Sequence, residues 1–226
     1  MKNLKREVAR AIDSTLGETL KEAYVSTPKK FALRTDLLSS ATKKAQQKEF
    51  EAYVAALNKA SAELDGADRE NANNKSSDFR SLKADEVHSM NAAFLRALYF
   101  ENISDLSSRI TMDSLAFIRL ERDFGTFDEW QRDYIACCLS SRDGYAVLGY
   151  SVFLKRYLNF VIDAESKDVG VGVIPVIVMD VSVGAYFRDY LDDTKTYVLA
   201  MMKEFNWERI EERFKRSEKI AKIFMS

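Results

Sequence analysis

The chain has 226 residues, 46% of them hydrophobic, with 34 basic and 35 acidic side chains and a formal net charge of −1. That length and apolar content suit one large or two small domains with a real core. The balanced charge excludes a surface that grips nucleic acid as a whole, while leaving room for a local basic patch. No run approaches the roughly 18 apolar residues of a membrane span, so no membrane partner is expected.

Eight glycines and two prolines in the whole chain mark it as globular and rather helical. Residues 1–24 read as an amphipathic helical extension, with Leu4, Val8, Ala11, Ile12, Leu16 and Leu20 near helical spacing. This stretch carries Glu7, Asp13 and Glu18, so it makes a poor transit peptide, although it could follow one that has been removed. Pro28 ends a linker. Thr35 and Asp36 are candidate caps for a helix running to about Leu64. The polar stretch Asp65–Ser77 reads as a loop, and a second long helix is predicted over about Ala84–Phe100. Two long helices joined by a polar loop make a helical hairpin, assigned to residues 25–108.

Residues 109–226 change character and are expected to form an α/β domain. Ser114–Phe124 and Thr126–Leu139 are predicted helices; Gly125 fits a C-cap, and Thr126 with Glu129 has the form of a capping box. Gly144–Phe153, Arg156–Asp163 and Val173–Met179 are rich in Val, Tyr, Phe and Ile, as strands are. The last is apolar on both faces, which predicts a central strand. Ala185–Phe205 and Trp207–Phe224 return to helical spacing. Cys137 and Cys138 are adjacent on a helix and point about 100° apart, so they cannot form an ordinary disulfide. They read as core filler rather than as a redox or metal pair.

Short motifs in this order resemble the iron/manganese superoxide dismutase family. Ala52–Lys59 is similar to the family's T-Y-V-x-x-L-N-K, and Glu121–Gly125 matches E-R-D-F-G. Gly144-Tyr145-Ala146 stands where the family has G-W-A-W. Val173–Tyr186 looks like its buried strand followed by D-x-W-E-H-A-Y. Asn206-Trp207 and Arg213-Phe214 resemble its N-W…R-F ending. The resemblance implies an α+β fold: an N-terminal helical hairpin followed by a C-terminal α/β domain with a three-stranded antiparallel sheet.

The family binds one redox metal through three His and one Asp. The corresponding positions here are Ala45, Arg96, Asp180 and Gly184. Alanine and glycine carry no donor atom, and a guanidinium repels a cation. The resemblance therefore implies degenerate metal-site positions, no catalytic residues, no metal and no cofactor. The family's outer-sphere His is Glu49 here, and the Glu and His of its intersubunit bridge are Val183 and Gly184. Tyr53 keeps the gateway position, and by itself can also be a packing residue with a hydroxyl partner. His88 has three open readings: helix surface, core or ligand. Arg96 and Asp180 would face one cavity, where a guanidinium could stand in for the metal's charge; the alternative is an Arg96 that reaches to solvent.

The family also contains metal-free members in the small subunit of mitochondrial ribosomes. That analogy implies a non-catalytic structural subunit in the mitochondrial matrix, paired as a heterodimer with a second dismutase-like chain. Limited rRNA contact could fall on Lys29/Lys30, Lys43/Lys44, Lys155/Arg156 or Lys215/Arg216. The alternatives are a free-standing pseudoenzyme that regulates a partner, and a dismutase-fold enzyme with a changed site.

Overall fold

The computed structural model describes residues 25–103, 108–164 and 169–224. The amphipathic stretch 1–24 lies outside the described residues. Seven helices and three strands are described, in the order α1 (Ser40–Asp65), α2 (Asp78–Asn102), α3 (Leu115–Phe124), α4 (Phe127–Ser140), β1 (Tyr145–Ser151), β2 (Arg156–Ile162), β3 (Val173–Asp180), α5 (Val183–Tyr190), α6 (Thr194–Lys203) and α7 (Trp207–Phe224). This is the expected α+β order, a helical N-terminal region and then an α/β region. No described helix is long and apolar enough to cross a membrane.

Contacts divide the chain into two compact units. One holds residues up to Pro28 together with Glu51–Met90; the other holds Lys29–Phe50 and Asn91–Ser226. The domain division expected near residue 108 remains a proposal about independently folding pieces. In the first unit α1 contributes the buried side chains Val54, Leu57, Ala60 and Leu64. The Tyr53 ring meets His88 edge-on at 5.9 Å. Asn58 clamps the incoming chain, its Oδ1 accepting from the Ser26 N–H and its Nδ2 donating to the Ser26 carbonyl.

The second unit carries the sheet. Strand order is β2-β1-β3, antiparallel throughout. The expectation that β3 is the central strand is therefore corrected: β1 is central and β3 is an edge. Its two-sided apolarity has another cause, because helices close that edge. Asn102 on α2 donates to the Val178 carbonyl at 2.8 Å, and Arg213 on α7 donates to the Val176 carbonyl at 3.1 Å. These side chains satisfy edge carbonyls that a further strand would otherwise pair. Arg213 also donates to the Leu98 carbonyl and to Glu101, so α2, β3 and α7 share one guanidinium. Trp130, Tyr134, Phe205 and Phe214 are buried in this unit, as are Val147, Ile177 and Val178 on the sheet.

Helix boundaries follow their caps. Helix α1 begins at Ser40, later than Thr35 and Asp36 suggested. The Thr35 hydroxyl accepts from Leu37 N–H and turns the chain locally, while Ser39 Oγ accepts from Thr42 N–H as the cap. Helix α2 begins at Asp78 rather than Ala84, because Ser77 Oγ takes the Arg80 N–H. Ser114 and Thr126 cap α3 and α4, and Gly125 ends α3 with φ of 95°. The single helix expected over Ala185–Phe205 is two, separated by Leu191 at φ 53° and restarted by the Asp193 carboxylate.

Gly144 opens β1, and a Cβ there would lie 1.9 Å from the Ile162 carbonyl oxygen. Its own carbonyl accepts from Val181 N–H at 2.9 Å, which ties the turn after β3 to the sheet. Gly144→Ala is therefore expected to cost about 3 kcal/mol, the upper end for overpacking, measured by urea denaturation. A cost near zero would show that the backbone yields at this corner.

Candidate functional site

Four of the five expected site residues, Ala45, Arg96, Asp180 and Gly184, lie in the second unit; Tyr53 lies in the first. Helix α2 delivers Arg96, β3 delivers Asp180 at its last residue, and α5 delivers Gly184 in its first turn. Arg96 and Asp180 are both fully buried. The Arg96 Nε donates to Asp180 Oδ2 at 3.2 Å, and Nη2 lies 3.1 Å from the same oxygen. The guanidinium turns inward rather than reaching to solvent.

The other carboxylate oxygen is filled separately. Asp180 Oδ1 accepts from the Ser182 backbone N–H at 3.0 Å and from its hydroxyl at 2.6 Å. Its backbone carbonyl accepts from the Tyr197 hydroxyl at 2.7 Å, and Tyr197 meets the Tyr99 hydroxyl at 3.0 Å. Burial pushes the Tyr99 and Tyr197 hydroxyls well above the ordinary phenol range, so both stay protonated as donors.

Glu49 completes the cluster. Its Oε2 lies 3.0 Å from Arg96 Nη1. One buried cation thus sits between a buried carboxylate and a carboxylate 39% exposed. Sequence reading placed Glu49 in the outer shell but did not connect it to Arg96. The missing signal was at Gly184: a Cβ there would come within 3.3 Å of Glu49 Oε2. Glu49 takes the volume that a side chain on α5 would use. The residues at positions 49, 96 and 184 therefore form one interlocked arrangement, and a larger residue at 184 competes with Glu49 for space. Ala45 stands one turn before Glu49 on α1 and offers only a methyl group. Gln46, between them, is buried and donates to the Ala185 carbonyl at 2.9 Å, fixing α1 against α5.

The arrangement resembles a known site in placement but not in donors. Residues 115–213 match the family described as iron/manganese superoxide dismutases, C-terminal domain. The superoxide dismutase [Fe] of Aquifex aeolicus (strain VF5) is 31% identical over 173 residues, which cover 75% of this chain and 80% of that protein. The chain belongs to the iron/manganese superoxide dismutase family. The superoxide dismutase [Fe] of Cupriavidus metallidurans is 30% identical over 59% of this chain and 66% of its own length. The superoxide dismutase [Mn] of Nocardia asteroides is 28% identical over 72% and 77%.

These relatives correct one expectation. The expectation from the four positions is a chain that is not an enzyme. Similarity at this level, over three-quarters of the chain, to proteins named as superoxide dismutases overturns that reading. The residues at the four positions nevertheless do not fit the iron or manganese of those names. Among them only Asp180 has a donor, and both of its oxygens are already engaged by Arg96 and Ser182. A guanidinium lies where a cation would have to come. Among the described residues no group of three His, Cys, Asp or Glu could hold a metal ion.

Cys137 and Cys138 are free, half-buried and buried respectively on α4. Burial pushes the Cys137 thiol up to about 11, with the neighbouring Asp133 charge adding to it, and pushes Cys138 higher still. Neither is a reactive thiolate near neutral pH.

Two measurements check this geometry. Arg96→Ala leaves Asp180 buried without its cation and is expected to cost about 3–5 kcal/mol by chemical denaturation. Glu49→Gln, at the exposed end, should cost less than about 1 kcal/mol; equal costs would mean that Glu49, and not Asp180, is the dominant partner of the guanidinium. A thiol raised to about 11 holds far less thiolate at pH 8 than an ordinary cysteine. Labelling of Cys137 by a disulfide reagent at pH 8 should therefore run at least about tenfold slower than that of free cysteine, and accelerate as pH rises toward 11. Labelling as fast as free cysteine would place the thiol in solvent.

Proposed function

We propose that this dismutase-family chain works as a stably bound protein subunit of a large assembly, the small subunit of a mitochondrial ribosome, in the mitochondrial matrix and beside a second dismutase-like chain. The observation that carries the reading is the face of α5. Val183, Phe187 and Leu191 recur at helical spacing, each half or more exposed. Two large apolar side chains one turn apart on a short helix, with a third at the residue that ends it, mark a surface that a partner covers. Glu49 lies against the same helix at Gly184 and offers a carboxylate at the rim.

The buried Arg96 cluster supports the same reading from beneath. It locks α1, α2, β3 and the start of α5 together by charge, so the α5 face rests on a fixed base. A rigid apolar face with a charged rim is the anatomy of a stable protein interface. An interface of this kind buries at least about 1,000 Å², more than three side chains supply, so neighbouring surface must join it. The Glu and His that would bridge two copies are Val183 and Gly184 here. A different partner chain therefore suits this face better than a second copy.

Gradient sedimentation of the tagged protein from its native cells tests the proposal. It should migrate with small ribosomal subunits. Phe187→Asp together with Leu191→Asp should release it to light fractions while leaving its own stability within about 0.5 kcal/mol, as for exposed positions. Migration only as a free chain would refute the proposal. Co-migration with one protein of similar size and no large particle would favour a free-standing regulator.

A further inference from the structure

The second unit has a groove of about 300 Å³ remote in character from the Arg96 cluster. Arg122 from the end of α3, Tyr150 on β1, Lys155 in the β1–β2 turn, and Glu218 and Lys222 on α7 line it. We propose that this groove binds the phosphate backbone of single-stranded RNA. The proposal deepens the assembly reading and rests on it for the source of the RNA, though not for the binding itself.

Charge is the first argument. Glu218, the carboxylate that lines the groove, and Asp123, next to Arg122, are already spent on neighbours. Glu218 is held by Arg119, with Nε at 2.6 Å and Nη2 at 3.2 Å, and takes a further contact from the Tyr157 hydroxyl. Asp123 is held by Arg122 at 2.7 Å and accepts the Tyr157 N–H. Lys155 and Lys222 are exposed and have no carboxylate partner among the described residues. Arg156 is exposed and, among the described residues, donates to the Asp123 backbone carbonyl, which cancels no charge. Around Glu218 and Asp123 therefore stand Arg119, Arg122, Lys155, Arg156 and Lys222, a surplus of positive charge on a chain whose net charge is −1.

Shape is the second argument. The cations come from α3, the β1–β2 turn and α7, so they converge on a concavity instead of lying along one solvated helix face. The floor is apolar, made by Val152, Ala221 and the Tyr150 ring. Phe153, 84% exposed, precedes Lys155 by two residues in the same turn. Cations that track a backbone, with aromatic rings beside them for bases, are what single-stranded nucleic acid requires. An acidic peptide would meet the charge but leave the rings unused. The sequence offered four basic pairs as candidates, and this groove takes Lys155 from one of them and gathers Arg122 and Lys222 with it.

The test is fluorescence anisotropy of the full chain with a labelled single-stranded RNA of about 12 nucleotides, a length within the range of single-strand sites, titrated at several salt concentrations. Saturable binding is expected, with log K falling as log salt rises. Lys155→Gln with Lys222→Gln removes two exposed cations, so the slope should become shallower by about 1.4, from about 0.7 per lost contact on a single strand. Lys43→Gln with Lys44→Gln, on α1, should leave the slope unchanged. No binding at low salt, an unchanged slope in the groove variant, or an equal change in the α1 variant would overturn the proposal. Equal affinity for a glutamate-rich peptide of the same charge would overturn the assignment to RNA. The two readings fail separately. RNA binding by a chain that sediments free refutes the assembly alone. Co-sedimentation with an unchanged slope refutes the groove alone.

Discussion

The contact between the Arg96 guanidinium and the Asp180 carboxylate sets the terms for the centre of the α/β unit. Neither side chain touches solvent, and either alone would be a buried charge costing several kcal/mol. Together, with Ser182 on the second oxygen and Glu49 on the far nitrogen, they satisfy each other. The requirement propagates outward. Asp180 must end β3 where Ser182 can fold back on it, and the Tyr197 hydroxyl must hold its carbonyl. Position 184 must stay small so that Glu49 has room. One ion pair thus fixes where α1, α2, β3, α5 and α6 meet.

A second guanidinium does comparable work at the sheet edge. Arg213 bonds the carbonyls of Val176 and Leu98 and the carboxylate of Glu101. The Asn102 side chain, which accepts from it, donates in turn to Val178. An edge strand this apolar would invite another strand; here polar side chains from two helices satisfy its backbone. Burial lowers the Arg213 guanidinium somewhat from its ordinary value, and Glu101 opposes that shift. It remains charged at any physiological pH.

Membership of a family whose relatives are named as iron and manganese superoxide dismutases does not by itself say what these positions hold. At the four positions this chain has an aspartate at the end of a strand, an arginine, an alanine and a glycine. The outer surface carries features of a different kind. An apolar row lies on α5, and a positive groove opens between α3, the β1–β2 turn and α7. Lys155 and Lys222, which line that groove, have no carboxylate partner among the described residues.

The sequence by itself determined the fold class, the order of elements and the family. Hydrophobic spacing, strand composition and short motifs in order are all local properties that survive without coordinates. The caps at Thr126 and Gly125 were legible for the same reason, since a cap and its partner lie within one turn. So was the pairing of Arg96 with Asp180, but only through the family's alignment, because the two are separated by 84 residues. Other features were decided by tertiary structure alone. Strand β3 reads as central and is an edge, because apolarity reports burial and not which neighbour supplies it. Thr35 and Asp36 could cap a helix as well as Ser39 does, and packing chose between them. Glu49 became part of the cluster only when α5 brought a glycine against it. The groove exists because side chains from three distant segments face one concavity, and no local pattern encodes that convergence.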